Sequence, residues 1–244
     1  MSSQVALVTG GARGIPRAIA VDLAKNGWSV AICYRKSKED AENTLAEIHG
    51  ANAYGMALQA DVSDPLQCKS LVDSVRQDLG PITALINGAG PYHRVPILKE
   101  TPEGWREMFD HNLHAAFYMS QLVVPDMQSQ KFGRIINFAM ANADRIMAQP
   151  MVTAHFIAKS GLLILTRTLG KKLAPHGITV NAISPGFIDS GSADADEMDS
   201  MLPKIPAGRL GSVEDAVQSV RWLMSKEAEY VNGSNIHLSG GWGM

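Results

Sequence analysis

Two side chains that can exchange protons lie one helical turn apart in the second half of the sequence. His155 and Lys159 are four residues apart in a stretch with a helical pattern, so they share one face of that helix. A histidine with its ordinary pKa, near ~6.5, is a proton donor at mildly acidic pH. A neighbouring lysine cation lowers that pKa, so we expect little imidazolium at neutral pH.

A glycine-rich segment near the start of the chain predicts a phosphate-binding turn. Residues 9–16 read Thr-Gly-Gly-Ala-Arg-Gly-Ile-Pro and stand between an apolar run and a helical pattern. At Gly10, Gly14 and Ile15 the backbone can approach a pyrophosphate, whose negative charge the helix N-terminus favours. Pro16 is tolerated in the first turn of a helix, but it removes an N–H that could face the phosphate.

The end of the second predicted strand indicates which dinucleotide this turn would hold. Sites that choose NAD usually carry an acidic residue there, which binds the ribose 2′-hydroxyl. This sequence has Tyr34, Arg35, Lys36 and Ser37 instead, and two adjacent cations with a hydroxyl suit a 2′-phosphate. Arg13 can converge on the same group. NADP(H) is therefore the expected cofactor, and the alternative is that Arg35 and Lys36 are solvated loop residues.

Short apolar runs alternate with longer amphipathic stretches along the chain, which is the pattern of βα units on a buried parallel sheet. The predicted fold class is α/β, with a single Rossmann-type doubly wound parallel sheet of about seven strands and helices on both faces. No linker or repeat interrupts it, so one dinucleotide-binding domain is predicted for residues 1–244. The predicted strands are 4–9, 29–34, 53–59, 82–87, 132–139, 178–183 and 234–238, the last at one edge.

The predicted helices begin near residues 14, 37, 64, 101, 112, 153 and 212. The polar stretch 189–206 is predicted to be irregular. Because it follows a strand end, where ligands bind in an open parallel sheet, it suits a substrate lid. An ordinary surface insertion is the alternative.

Composition excludes several classes of function. The 244 residues carry a formal net charge of -2 and no long charged block, so we expect a small-molecule substrate, with no nucleic acid and no membrane as partner. The two cysteines, Cys33 and Cys68, fit a reduced cytoplasmic protein better than a disulfide framework. The histidines lack metal-ligand spacing, so no metal site is predicted. The N-terminus also lacks the charged flank and long apolar run of a signal peptide.

Further motifs at the predicted strand ends resemble those of the short-chain dehydrogenase/reductase family over essentially the whole chain. The family has a Thr-Gly-x-x-x-Gly-Ile phosphate loop, an adenine-contacting pair, an Asn-Asn-Ala-Gly motif and a Pro-Gly turn at the nicotinamide. Beyond the loop, the residues that resemble these motifs are Asp61, Val62, Asn87, Gly88, Ala89, Pro185, Gly186 and Ile188. Within the family the chain is most similar to 3-oxoacyl carrier-protein reductases and pteridine-reductase-like members. The tail 239–244 resembles one placed at subunit contacts, which implies a homotetramer or homodimer.

The resemblance also implies roles for the residues around the paired histidine and lysine. In the family a tyrosine four residues before a lysine protonates the substrate carbonyl oxygen, while the lysine holds the ribose and an asparagine helps to relay protons. Lys159 matches the lysine, as a catalytic and cofactor-binding residue, and Asn112 matches the asparagine. His155 replaces the tyrosine.

The family's carbonyl-orienting serine is replaced as well. Counting from the predicted strand 132–139 puts its position at Ala139 or Met140. Counting back from His155 by the family's spacing gives Asn142, whose amide can hydrogen-bond to a carbonyl. We predict Asn142 as the substitute.

Together these features predict an NADPH-dependent oxidoreductase with atypical catalytic residues. It would reduce a carbonyl or a conjugated double bond of an acyl thioester, enone or pterin. The lowered pKa of His155 disfavours the family's usual carbonyl route, whereas a conjugated double bond can take its proton from water. The alternative is a catalytically inactive NADP(H)-binding scaffold or regulatory subunit.

Overall fold

Seven parallel strands form the central sheet, in the order β3, β2, β1, β4, β5, β6, β9. The computed structural model describes residues 4–191 and 195–243. Each strand bound lies within two residues of its prediction, and β9 lies at an edge, as predicted. The strands are β1 (Val5–Thr9), β2 (Ser29–Tyr34), β3 (Gly55–Gln59), β4 (Ile82–Asn87), β5 (Gly133–Phe138), β6 (Ile178–Pro185) and β9 (Asn235–Leu238). Two short strands, β7 (Ile188–Asp189) and β8 (Gly211–Ser212), pair separately.

Helices cover both faces of the sheet, which confirms the predicted doubly wound α/β fold. Helices α1 (Gly14–Lys25), α2 (Lys38–Gly50) and α8 (Val213–Met224) pack on one face. Helices α3 (Pro65–Asp78), α5 (Ala115–Gln130) and α6 (Thr153–Leu173) pack on the other. Val, Ile, Leu and Ala alternate between these two cores along each central strand, so the sheet is buried on both sides.

Capping residues fix where several helices begin. Asp64 accepts a hydrogen bond from the Leu66 N–H, and Pro65 occupies the first helical position of α3. Ser212 and Asp215 form a capping box at the start of α8. Helix α4 (Pro102–Phe109) leads into a π-helical turn, Asp110–His114, so α5 begins at residue 115 rather than near 112.

The prediction of an irregular stretch over 189–206 is wrong for helix α7 (Ala195–Met201). Its apolar signal is confined to Met198 and Met201, three residues apart, and this pair is too short to indicate a helix from the sequence. Residues 192–194 of the predicted lid lie outside the described residues. Among the residues that are described, no helix is long and apolar enough to cross a membrane.

Candidate active site

The turns after β1 and β4 are bonded to each other where the strand order reverses. Thr9 Oγ1 accepts hydrogen bonds from the N–H groups of Gly88 and Ala89, both at 3.1 Å. Gly10 has a φ of +72°, and a Cβ there would lie 3.1 Å from the Ala89 backbone. The two turns therefore form one surface at the carboxyl edge of the sheet, where open α/β sheets bind their ligands.

Pro16 packs directly against the second of these turns. A Cβ on Gly88 would lie 2.6 Å from Pro16 Cγ, so the pyrrolidine ring and the glycine fit only together. This contact explains how α1 approaches the sheet closely without a glycine at position 16.

A cleft of about 640 Å3 opens above these turns. It brings together most of the predicted cofactor-binding residues from four different loops. Lys36 is exposed beside Arg35 but does not line the cleft, and Asn87 lies beneath it. The predicted residues that line it are Gly10, Arg13, Gly14, Ile15, Tyr34, Arg35, Ser37, Asp61, Val62, Gly88 and Ala89.

His111 lines the same cleft and was missed by sequence reasoning. Its Nε2 lies 2.8 Å from Arg35 Nη1 and 3.1 Å from Asp61 Oδ1, and its Nδ1 lies 3.1 Å from the Glu107 carbonyl oxygen. Burial opposes ionisation of Asp61, but hydrogen bonds from Ser63, with His111 and Arg35 nearby, hold its pKa below the usual value. Arg35 is thus positioned at one end of the cleft by Asp61, on the loop after β3, and by His111, in the π-helical turn.

The cleft has the chemistry that a phosphorylated dinucleotide needs. The glycine turn exposes backbone N–H groups at the start of α1, where a side chain on Gly10 would be blocked. Arg35, Ser37 and Arg13 supply donors at the end of β2, although Arg13 is paired with Asp40 at 2.5 Å. The residues that line the cleft therefore fit a phosphorylated dinucleotide.

A buried chain of hydrogen bonds ties the sheet to α6. Asn87 Nδ2 donates to Asn137 Oδ1 at 2.8 Å, and Asn137 Nδ2 donates to Thr166 Oγ1 at 2.9 Å. The three side chains connect β4, β5 and α6, the helix that carries His155 and Lys159.

Asn112 and Lys159 meet beside the loop after β4. A Cβ on Gly90 would lie 2.3 Å from Asn112 Oδ1 and 3.5 Å from Lys159 Nζ. Asn112 Nδ2 donates to the Pro91 carbonyl at 3.1 Å, and Lys159 Nζ donates to the Phe138 carbonyl at 2.5 Å. Burial lowers the pKa of Lys159 to about 8, so it remains mainly a cation at neutral pH.

His155 is buried next to this pair, with only 6% of its surface exposed. Its ring is nearly perpendicular to that of Tyr92, with the centroids 5.2 Å apart, and its Nδ1 has no hydrogen-bond partner. Burial first, and then the charges of Lys159 and His93, lower the pKa of His155 to about 3. The imidazole is therefore neutral throughout the physiological range, where it can donate one N–H hydrogen bond.

A second cavity, of about 610 Å3, lies beside His155 and continues from the cleft along the loop 88–94. Its walls are mainly apolar, and Met198 and Met201 of α7, which belong to the segment predicted as a lid, contribute to them. Pro185, Gly186 and Ile188 line this cavity rather than the cleft.

The structure does not bring Asn142 into the second cavity. Asn142 adopts a φ of +67°, and its side chain packs against Gly243 in the C-terminal tail. Met140 and Ala141 line the cavity instead, because the loop between β5 and α6 is longer than the spacing from His155 assumed. Of the two positions predicted from the strand count, Met140 is therefore the one that lines the same cavity as His155.

Comparison with known proteins assigns the chain to a family. The family model described as enoyl-(acyl carrier protein) reductase matches residues 10–243. The chain belongs to the short-chain dehydrogenase/reductase family. Within it, 3-oxoacyl-(acyl-carrier-protein) reductase FabG from Staphylococcus aureus is 37% identical over 239 residues, which cover 97% of this chain and 96% of the relative. The protein of the same name from Escherichia coli is 33% identical over 241 residues, covering 98% and 96%.

Solved structures of family members have the same fold as this chain. A putative short-chain alcohol dehydrogenase from Sinorhizobium meliloti superimposes with a TM-score of 0.92 at 33% identity, covering 99% of this chain and 97% of that one. A blue fluorescent protein from a metagenomic library, in complex with NADPH, superimposes with a TM-score of 0.91 at 31% identity, covering 99% and 98%. The resemblance inferred from the sequence motifs is confirmed.

The low pKa of His155 predicts an acid-sensitive fold. The unfolded chain binds a proton at this histidine near pH ~6.5, whereas the folded protein does so only near pH 3, so stability is lost as the pH falls below 6.5. Between pH 7 and pH 5 this costs about 2 kcal/mol of unfolding free energy. In urea unfolding, we expect the loss of unfolding free energy between pH 7 and pH 5 to be about 2 kcal/mol smaller for His155→Phe than for wild type.

The matched control is His176→Gln, which changes an exposed histidine and is expected to follow wild type. An equal loss of stability in wild type and His155→Phe would contradict the assignment of a neutral, buried imidazole.

Proposed function

We propose that the chain is an NADPH-dependent reductase acting on a conjugated double bond or a carbonyl of a small substrate, such as an acyl thioester, enone or pterin. The observation that carries this proposal is the arrangement of two cavities along one loop. The polar cleft holds the donors suited to a nucleotide, and His155 lines the apolar cavity. Asn112 and Lys159 lie beside Gly90, which lines the cleft.

The preference for NADP(H) rests on the cationic end of the cleft. Arg35 and Ser37 line the cleft and would donate hydrogen bonds to a 2′-phosphate, and no acidic residue occupies the end of β2. Asp61 and Glu107, at 3.8 Å from Arg35, hold its guanidinium at the mouth of the cleft. One of the similar structures is itself a complex with NADPH.

We assign a positioning and polarising role to the buried polar residues. When bound, NADPH supplies a hydride to a carbon of the substrate. Lys159, mainly cationic at neutral pH, would hold the ribose, with its ammonium fixed by the Phe138 carbonyl. His155 would donate an N–H hydrogen bond to the substrate carbonyl oxygen, on which negative charge develops.

The neutral state of His155 favours conjugated double bonds over simple carbonyls. Reduction of a ketone leaves an alkoxide oxygen that needs a proton, which a group with a pKa near 3 does not hold at neutral pH. Reduction of a conjugated double bond leaves an enolate, whose oxygen needs only a hydrogen bond while water protonates the carbon. The matching family model is named for enoyl reduction, and the FabG relatives for 3-oxoacyl reduction.

The same histidine supports a second candidate, a catalytically inactive NADP(H)-binding scaffold or regulatory subunit. Met140 stands in the cavity where the family's serine is expected, and His155 supplies no acidic proton. A protein that binds the nucleotide but turns nothing over would have these substitutions.

We further propose a single domain spanning residues 1–244, located in the cytoplasm, that assembles as a homotetramer or homodimer. Both cysteines are free thiols and buried, as suits a reducing compartment. Phe117 of α5 and Ile157 and Ile164 of α6 are exposed on either side of the contact between Leu113 and Gly161. An apolar patch of this kind is typical of a subunit contact.

Replacing Arg35 with alanine is expected to weaken NADPH binding selectively. Loss of a charge-assisted phosphate contact of about 1.5–3 kcal/mol corresponds to a roughly 10- to 150-fold higher Kd. NADH, which has no 2′-phosphate, is expected to be affected less than threefold. Calorimetric titration measures both constants. Lys38→Ala, which removes an exposed cation three residues away, is the control, and an equal loss for both nucleotides in Arg35→Ala would refute the assignment.

Measuring turnover distinguishes the proposed reductase from the catalytically inactive scaffold. We expect NADPH oxidation, followed at 340 nm, with a trans-2-enoyl thioester to exceed that with the matching 3-oxoacyl thioester. Lys159→Ala is expected to lower kcat/KM by at least about 100-fold, while Lys171→Ala, at an exposed position of the same helix, leaves it unchanged. Tight NADPH binding without oxidation by any enoyl, enone, pterin or 3-oxoacyl substrate would favour the scaffold.

The apolar patch on α5 and α6 predicts self-association at micromolar concentration. Sedimentation velocity is expected to give a dimer or tetramer for wild type, and a smaller species for the double variant Phe117→Lys with Ile164→Lys. A wild-type protein that sediments as a stable monomer would remove this proposal.

A further inference from the structure

A third cavity, of about 500 Å3, lies at the opposite edge of the sheet from the two described above. Its wall includes Gln4, directly before β1, and Phe132 and Arg134 at the start of β5. The C-terminal ends of α1 and α8 complete it. Since a six-residue strand is about 20 Å long, this amino-edge cavity is well separated from the nucleotide cleft.

Arg134 is a buried cation that makes no close ion pair within the described residues. Only 3% of its surface is exposed, and its guanidinium carbon lies 4.4 Å from the centroid of the Phe132 ring. Nη1 donates to the Gly133 carbonyl at 2.9 Å, but the buried Nε has no hydrogen-bond partner. Within the described part of the chain, no carboxylate lies within 4.0 Å of it. A buried charge is costly unless it is paired, so this side chain calls for an anion.

The other charged residues of the amino-edge cavity meet that need only in part. Burial lowers the pKa of Arg134, and the charge of Glu229, which lies beyond 4.0 Å, offsets part of this effect. Arg221 donates hydrogen bonds to both carboxylate oxygens of Asp22, so these two neutralise each other. Lys226 and Glu229 are exposed at the rim. The cavity is thus lined by three cations and two carboxylates, which leaves one positive charge over.

The remaining wall of the cavity is mixed, because Gln4, Asn26 and Ser225 line it together with apolar side chains. Trp28, Leu23 and Met224 are each less than 10% exposed and face the space beside Arg134. A volume of about 500 Å3 falls within the range of small-molecule sites. The site therefore offers one cation that is not closely paired, with apolar side chains next to it.

We propose that the amino-edge cavity binds a small organic monocarboxylate with an apolar body. The guanidinium fork of Arg134 takes the carboxylate, for which its planar donors are suited, and the apolar body packs against Trp28 and Leu23. This site is distinct from the proposed reductase site and does not depend on it.

Calorimetry with octanoate tests the proposal on the full chain held at saturating NADP+. We expect wild type to bind octanoate at least about tenfold more tightly than 1-octanol or inorganic phosphate, because a charged hydrogen bond and the apolar side chains act together. Arg134→Met is expected to raise the Kd for octanoate at least about tenfold. Arg94→Met removes an arginine that lines the cavity beside His155 and is expected to leave the Kd unchanged.

Trp28 provides a second readout that needs no change at Arg134. Octanoate is expected to alter the tryptophan emission of wild type, and Trp28→Phe is expected to abolish that change while the heat of binding persists. Absence of heat in folded wild type would overturn the proposal, as would loss of binding in Arg94→Met. Equal Kd values for phosphate and octanoate would also overturn it, since the site would then hold an adventitious ion only.

Discussion

The hydrogen-bonded chain Asn87–Asn137–Thr166 is the constraint on which the candidate site depends. Both amides are buried, so losing either hydrogen bond would leave a polar group without a partner. This chain of hydrogen bonds fixes the position of α6 along β4 and β5. His155 and Lys159 lie on that helix, and Asn112 lies on the turn packed against it. The position of α6 therefore decides where all three side chains meet.

Burial gives the candidate site its chemical character. Lys159 and His155 are both drawn toward their neutral forms, but their ordinary pKa values differ so widely that only the histidine is neutral at physiological pH. The site thus combines a fixed cation with an uncharged donor. This arrangement stabilises charge that develops on a bound molecule, while His155 itself offers no acidic proton.

The strands and most helices could be predicted because both faces of the sheet are buried, so most strands are short runs dominated by apolar residues. Helix α7 could not, since Met198 and Met201 pack against other parts of the chain and the sequence around them is polar. Spacing also misled the assignment of Asn142, because a loop can lengthen without changing the elements on either side. His111 was missed because its partners, Arg35 and Asp61, lie on distant loops.

The contact between Pro16 and Gly88 has a consequence for how the cleft receives a ligand. The pyrrolidine ring fixes φ of Pro16 in the first turn of α1, and the close contact with Gly88 restricts the ring to one position. A loop restrained in this way has few alternative conformations before the nucleotide binds. It therefore loses little conformational entropy on binding. Because the loop is rigid, it cannot move to accommodate a bulkier diphosphate or one bound at a different angle.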